Sequence, residues 1–186
     1  GVLTAAIERS VENGAKGFVQ LKLRVQGLKN VQSLGRTSSP FFELSRRVER
    51  PNGATWWVTA CFVGGRHRVD QTFLLSVVFL YRVKVYRSNV ARNELNPMWD
   101  EALLDIESVC NGDLDRAIKV TILDHRRNGK HKHMGEFETT VNGLVSSMIG
   151  NDNGDALGFS IRNKHGKEIA ECFPVIVKVQ DLSEEQ

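Results

Sequence analysis

Alternation of apolar and polar residues is the feature that most limits the folds available to this chain. In FVQLKLRVQGL, residues 18–28, an apolar side chain falls at every second position from Val19 to Val25, with glutamine or a basic residue between. A period of two is typical of a strand with one buried face. The same period recurs in PFFELSRRV, WWV, ALLDI, AIKVTILD, GEFETTV, GFSIR and PVIVKV, with turn dipeptides such as Asn-Pro and Asn-Gly between them. About eight short strands without a long helical period predict an eight-stranded antiparallel β-sandwich.

Residues 59–84 interrupt this rhythm. The apolar run inside the segment, residues 73–81, has 9 residues, too few for a membrane-spanning helix, which needs about 20. Removing the segment would join WWV directly to VYRS as one strand. Three interpretations stay open: a gene-model artefact or disordered insertion, an added hairpin, and an element that meets a membrane or a partner.

Composition excludes several classes of protein. The cysteines Cys61, Cys110 and Cys172 are far apart and in no Cys-x-x-Cys spacing, which argues against a disulfide framework and a zinc knuckle and favours a cytoplasmic location. No nucleophile elbow, phosphate loop or zinc-protease motif occurs, so we expect no enzymatic activity. The net charge of +3 is mild, so attraction to an anionic partner requires local clustering.

The densest cluster of basic residues lies in LDHRRNGKHKHMGEF, residues 123–137, around the turn Asn128-Gly129. Basic loop tips of this kind attract anions. A transition-metal site is an alternative, in which His131 and His133 bind with Asp124 or His125. Nucleic acid is not expected, because no aromatic platform accompanies the charges.

Several motifs carry a family resemblance. They are LKLRVQGLKN at 21–30, SSPFFELSR at 38–46, VYRSNVARNELNPMWDE at 85–101, and CNGDLDRAIKVTILDHRRNGKHKHMGEFETTV at 110–141. Together they resemble the second C2 domain of the copine family. The resemblance implies a C2-type sandwich over residues 18–182, a linker or the end of a preceding domain at 1–17, and a tail at 183–186. It also implies a larger parent protein with another C2 domain and a von Willebrand factor A-like domain.

Calcium is the ligand that the family resemblance implies. The positions that correspond to its carboxylate ligands are Ser33, Ser39, Asp124, Arg126, Asn128 and Lys132. Asp124 is the one acid retained, whereas calcium takes about six to eight oxygen ligands. We therefore expect a degenerate site that does not bind calcium, and no other cofactor.

Basic side chains replace the missing calcium charge in this interpretation. The residues expected to contact lipid are Arg126, Arg127, Lys130 and Lys132 of the third loop and Leu34 and Arg36 of the first. A second group, Arg46, Arg47, Arg50, Lys84 and Arg87, is expected to form a basic strand surface. The predicted function is calcium-independent binding to anionic phospholipids, peripheral at the plasma membrane. The alternative is a protein-docking module of a larger copine-like protein, without direct lipid binding.

Overall fold

The structure is a computed structural model that describes residues 14–33, 35–49, 55–58, 85–149 and 157–182, of which residues 48, 49 and 55–58 are described by their backbone. The expected linker up to residue 13, the interrupting segment 59–84 and the expected tail 183–186 lie outside these ranges. The described residues form strands β1 (Gly17–Gln26), β2 (Pro40–Glu49), β3 (Thr55–Val58), β4 (Tyr86–Arg87), β5 (Ala102–Asp105), β6 (Ile118–Asp124), β7 (Lys132–Thr139), β8 (Phe159–Arg162) and β9 (Glu168–Asp181). They also form helices α1 (Ile106–Cys110) and α2 (Val141–Ile149).

The strands follow one path in the order β3-β2-β6-β7-β8-β9-β1-β5, and the two-residue β4 pairs with β2 beside this path. The pairings between the described strands are all antiparallel. The pair Glu136 with Arg162 joins β7 to β8. Buried side chains from both halves of the path belong to one core cluster, so the path folds over at β7 and β8 into two layers. The predicted antiparallel β-sandwich is confirmed.

Strand β1 shows how the alternation produces the core. Its residues Val19, Leu21, Leu23 and Val25 are buried to within 2% exposure, and the polar residues between them face outward. Strands β5 and β6 repeat the pattern with alternate buried positions. Burial of one side chain of this kind contributes about 1.5–3 kcal/mol, so the alternation supplies most of the driving force for the two-layer fold.

Trp99 ties the two layers together. Its backbone N–H donates to Leu23 O on β1 at 3.1 Å, and its indole N–H donates to Pro40 O at the start of β2 at 3.2 Å. The ring packs edge-on against Phe42, with 4.9 Å between ring centroids. The side chain is 1% exposed, so a large apolar surface is buried while its polar atom is satisfied.

Neither helix was predicted from the sequence. Helix α1 begins where Asp105 accepts a hydrogen bond from Ser108 N–H at 2.8 Å, and α2 begins where the Thr140 hydroxyl accepts one from Gly143 N–H at 2.8 Å. Both are N-caps, a signal that the sequence carried. The helices are too short to show several turns of a 3.6-residue period. Within the described part of the chain, no helix has the length and apolar character needed to cross a bilayer.

Strands β3 and β4 lie along the same edge of β2. Arg46 pairs with Val58, and Leu44, two residues earlier on β2, pairs with Tyr86, which is 28 residues after Val58. In one continuous strand the residue that pairs with Leu44 would be two residues after Val58. The difference of 26 residues equals the length of segment 59–84. Without the segment, Val85 would follow Val58 and both strands would share one register. Residues 59–84 therefore interrupt a single edge strand without shifting its register.

We expect a variant that joins Val58 directly to Val85 to fold into the same sandwich. The deletion leaves the pairing with β2 intact and removes the entropic cost of closing a loop, so the free energy of unfolding should be unchanged or higher by up to about 3 kcal/mol. Urea denaturation measures this free energy.

The control is a variant that deletes residues 60–84 and keeps Thr59. It carries one residue too many, and a one-residue slip turns every side chain of a strand to the opposite face. The control should be less stable than the longer deletion. Equal stability of the two variants, or failure of the longer deletion to fold, would show that β3 and β4 are not one interrupted strand.

Candidate functional site

Three connections meet at one end of the sandwich. The first loop, residues 27–39, joins β1 to β2; the second loop, 88–101, joins β4 to β5; the third loop, 125–131, joins β6 to β7. Successive antiparallel strands run in opposite directions, so every second connection lies at the same end of the sandwich. For this purpose β3 and β4 count as one strand. The β8–β9 turn, 163–167, also reaches this end and carries the exposed Lys164 and Lys167.

Asp124, the last residue of β6, is buried beneath the first and third loops with no exposed surface. Its Oδ1 accepts a hydrogen bond from Ser39 N–H at 2.8 Å, and its Oδ2 accepts one from Gln32 Nε2 at 2.8 Å. Arg126 Nε lies 2.9 Å from the same Oδ2. A buried carboxylate is costly unless it is paired and hydrogen-bonded, and these three groups meet that requirement.

Ser39 connects all three loops. Besides its amide bond to Asp124, its carbonyl accepts a hydrogen bond from His125 N–H at 3.0 Å. Its hydroxyl accepts one from Asn93 N–H in the second loop at 3.1 Å. The residue predicted to stand where a calcium ligand had been lost thus has a structural role in this chain.

The first loop is folded around the side chain of Asn30. Asn30 Oδ1 accepts hydrogen bonds from Gln32 N–H, Ser38 N–H and the Ser38 hydroxyl, at 2.9–3.1 Å. Asn30 Nδ2 donates to Arg36 O at 2.7 Å. Such side-chain to backbone bonds fix a loop that has no strand partner, so the position of Arg36 is determined by Asn30.

Four arginines from the three loops line one open pocket of about 1060 Å³: Arg36, Arg92, Arg126 and Arg127. Gln32, Ser39, Asn93, His125 and Asn128 also line it. The sequence prediction included Arg36, Arg126 and Arg127 but missed Arg92. Counting the connections along the sequence could have predicted that the second loop lies at this end, because every second connection does so, and Arg92 belongs to that loop.

The remaining loop residues of the predicted lipid site lie outside the pocket. Lys132 begins β7, and its Nζ donates to Val31 O in the first loop at 2.9 Å, so this lysine joins two loops. Lys130 is exposed at the tip of the third loop. Leu34 lies outside the described residues.

Of the described residues of the predicted basic strand surface, Arg47 and Arg87 lie on the same face of β2 and β4, because Arg87 pairs with Glu43, and Arg46 is turned to the other face. Arg46 Nη1 donates to Glu107 O and Ser108 O of α1, at 3.1 and 3.0 Å, whereas the exposed Arg47 falls on the opposite face of β2. The guanidinium carbon of Arg87 lies 4.0 Å from the centroid of the Phe41 ring. Arg50 and Lys84 lie outside the described residues.

Acidic residues share the outer face of β6 and β7 with the basic ones. Lys119 Nζ lies 3.2 Å from Glu136 Oε1 and 3.6 Å from Glu138 Oε1. Burial by itself raises the pKa of Glu136, but hydrogen bonds and charge from Lys119 and His133 outweigh burial and hold that pKa below its ordinary value. This face carries both charges and is not a uniform cationic surface.

The histidines of the third loop region turn toward different partners. His131 Nδ1 accepts a hydrogen bond from Arg126 N–H at 3.0 Å, and its Nε2 lies 3.3 Å from Arg87 Nη2. His133 Nε2 lies 3.2 Å from Glu136 Oε2. Among the residues that the structure describes, no group of three His, Cys, Asp or Glu side chains is placed to hold a metal ion.

The residues at the calcium positions do not fit that ion. Calcium requires several convergent carboxylate or carbonyl oxygens. Both oxygens of Asp124 are already engaged, and the Arg126 guanidinium lies against one of them. Lys132 places a second positive charge on the same pair of loops. A bound calcium ion would therefore have to displace Arg126 and overcome like-charge repulsion.

The described cysteines are buried thiols. Cys110 has no exposed surface, as expected for a small core residue, and burial raises its pKa to about 11. Burial also raises the pKa of Cys172. A thiol of raised pKa carries little thiolate, the form that acts as a nucleophile. Cys61 lies outside the described residues.

Comparison with known proteins agrees with this architecture. The family model of the C2 domain matches residues 69–153. The chain is similar to the solved structure of BON1-C2B, with a TM-score of 0.60 and 19% identity over 92% of this chain and 97% of that chain. It is also similar to a C2 domain of plant extended synaptotagmin 1, with a TM-score of 0.50 and 16% identity over 89% of this chain and 97% of that chain. The chain has the fold of a C2 domain, and the predicted fold class is confirmed.

We expect Asp124→Ala to lower the free energy of unfolding by about 3 kcal/mol, because it removes two hydrogen bonds to a charged group and leaves Arg126 without its counter-ion. Urea denaturation followed by tryptophan fluorescence measures the change. The control is Asp100→Ala, at an exposed aspartate of the second loop, which should cost less than about 0.5 kcal/mol. Equal losses in the two variants would show that Asp124 does not hold the loops.

Proposed function

We propose that this C2-fold chain binds anionic phospholipid membranes through the three-loop end, with positive charge supplied permanently by side chains and not by calcium. The arginine-lined pocket above the neutralised Asp124 carries this proposal. C2 domains are in general membrane-binding or protein-binding modules, and the fold alone does not decide between those roles.

The charge at this end supports weak, salt-sensitive adsorption. Arg36, Arg92, Arg127 and Lys130 are exposed there, and Lys164 and Lys167 lie on the neighbouring turn. Each basic residue near an anionic leaflet contributes about 1 kcal/mol. Four such residues give about 4 kcal/mol, which corresponds to millimolar affinity. A second membrane-binding element in a larger protein would raise this affinity through effective concentration.

The lining residues favour a phosphate-bearing surface over nucleic acid. Guanidinium groups donate two parallel hydrogen bonds to phosphate oxygens. Single-stranded nucleic acid also requires aromatic side chains on which bases stack. Phe137, the aromatic residue nearest in sequence to the third loop, is 7% exposed and stacks on Phe159 with 5.2 Å between ring centroids. It is therefore part of the core.

The finer assignment to a copine-like second C2 domain is also a proposal, and the structure gives its motif residues definite roles. Asn111 and Gly112 end α1 with positive φ angles of 57° and 78°. Asp115 accepts a hydrogen bond from Asn142 at 2.9 Å. A Cβ atom at Gly135 would lie 2.5 Å from the Ile161 side chain, so only glycine fits where β7 meets β8. We propose a location in the cytoplasm, peripheral at the plasma membrane, on the same resemblance.

A protein-docking role is the second candidate, and one feature of the surface favours it. Among the described strands β5 ends the path, and Leu103 on this edge strand is 67% exposed. Phe18 on the adjacent β1 is 38% exposed. An exposed apolar residue on an edge strand suits the addition of a partner's strand.

We expect the purified domain to float with phosphatidylserine vesicles equally in calcium and in chelator. Binding should weaken as salt rises from low to near-physiological concentration, because the screening length shortens to about 8 Å. Binding that requires calcium would contradict the proposed mechanism. Failure to bind in every condition would favour the docking role.

A matched pair of charge reversals locates the contact. Arg36→Glu with Arg127→Glu changes two exposed cations of the pocket and should abolish flotation. Lys16→Glu with Lys178→Glu makes the same change in net charge at exposed positions of β9 and before β1, away from the loops, and should reduce flotation only slightly. Equal losses would mean that net charge, and not the three-loop end, drives binding.

A further inference from the structure

The pocket between the three loops has an unbalanced charge. Asp124 lies beneath it and neutralises Arg126 at 2.9 Å, which leaves Arg36, Arg92 and Arg127. None of the described residues that line the pocket is Asp or Glu. The lining therefore carries a net charge of about three positive units at neutral pH.

The positive charges come from separate loops that are held in place. Asn30 fixes the backbone at Arg36, Ser39 fixes the second loop next to Arg92, and Asp124 fixes the start of the third loop. Three arginines whose backbone positions are fixed around one space offer forked donors to a single ligand. Asn93, Asn128 and Gln32 add neutral polar groups to the lining.

We propose that this pocket selects ligands that carry two neighbouring phosphomonoester groups, such as an inositol bisphosphate head group. This proposal rests on the proposed membrane binding by the three-loop end, and it names the head group that this end would select. Each phosphomonoester carries about −1.5 to −2 charges at pH 7, so two of them balance the three uncompensated arginines. A phosphodiester lipid such as phosphatidylserine leaves most of that charge unbalanced. The pocket volume of about 1060 Å³ admits a six-membered ring with its phosphates.

Mutation of two basic residues at this end can distinguish selection between head groups from non-selective attraction to an anionic surface. Lys130 is exposed on the third loop and does not line the pocket, whereas Arg92 lines it. Lys130 should add to attraction toward any anionic surface, and Arg92 should discriminate between head groups. The two residues therefore form a matched pair for mutation.

The test measures binding of the whole chain to phosphatidylcholine vesicles that contain either phosphatidylserine or phosphatidylinositol 4,5-bisphosphate, at matched total charge. We expect about tenfold tighter binding to the bisphosphate vesicles, the effect of roughly one charge-assisted hydrogen bond. Arg92→Lys keeps the charge but removes the forked donor, so it should weaken binding to the bisphosphate vesicles by about tenfold and binding to phosphatidylserine vesicles by a clearly smaller factor. Lys130→Ala should weaken binding to both vesicles by one common factor.

Soluble inositol 1,4,5-trisphosphate, titrated by calorimetry, distinguishes the source of the phosphates. Binding that Arg92→Lys weakens about tenfold would support the pocket and show that free polyphosphate is also a ligand. Arg92-dependent preference on vesicles without soluble binding would support the pocket and restrict it to lipid.

One result would overturn the head-group selectivity alone, and another would overturn the membrane function alone. Equal binding to both vesicle types, unchanged by Arg92→Lys, would overturn the head-group selectivity while the proposed membrane function stands. Soluble binding that depends on Arg92, with no vesicle binding, would overturn the membrane function while the phosphate pocket stands. Circular dichroism of each variant verifies that it is folded.

Discussion

The buried carboxylate of Asp124 is the interaction on which the three-loop end depends. It receives hydrogen bonds from Ser39 and Gln32 of the first loop and an ion pair from Arg126 of the third. The guanidinium of Arg126 neutralises this carboxylate from within the chain, and the hydrogen bonds to Asp124 join the first loop to the end of β6.

This internal neutralisation determines what the surface above it can do. Because Arg126 and Lys132 satisfy structural requirements, the charge available to a partner comes from Arg36, Arg92 and Arg127. In the proposed mechanism this charge does not depend on calcium concentration, and it differs from a metal switch in one physical respect. A metal switch responds to an ion, whereas fixed arginines respond to ionic strength and to the charge density of the partner surface.

Much of the sandwich could be predicted from the sequence, because burial of one strand face imposes a period of two that is visible in β1, β5 and β6. Asp124 was visible in the sequence as the one acid at the positions that the family resemblance compares with calcium ligands. Its partners were not, because they depend on how two distant loops meet. The direction of Arg46 toward α1 depends on its position in the pleat and on a helix too short to show a period. Arg92 was missed because its loop contained no recognised motif, although strand counting places it at the same end.

The most direct measurement is a calcium titration of the isotopically labelled domain, followed by NMR through the backbone amides of Ser39 and Arg126. The Ser39 amide donates to Asp124 and the Arg126 amide donates to His131, so a metal ion at this site would perturb both. We expect no saturable shift of either amide up to millimolar calcium, because Arg126 occupies the carboxylate. A saturable shift of both amides would contradict the central claim and restore calcium as the ligand of this domain.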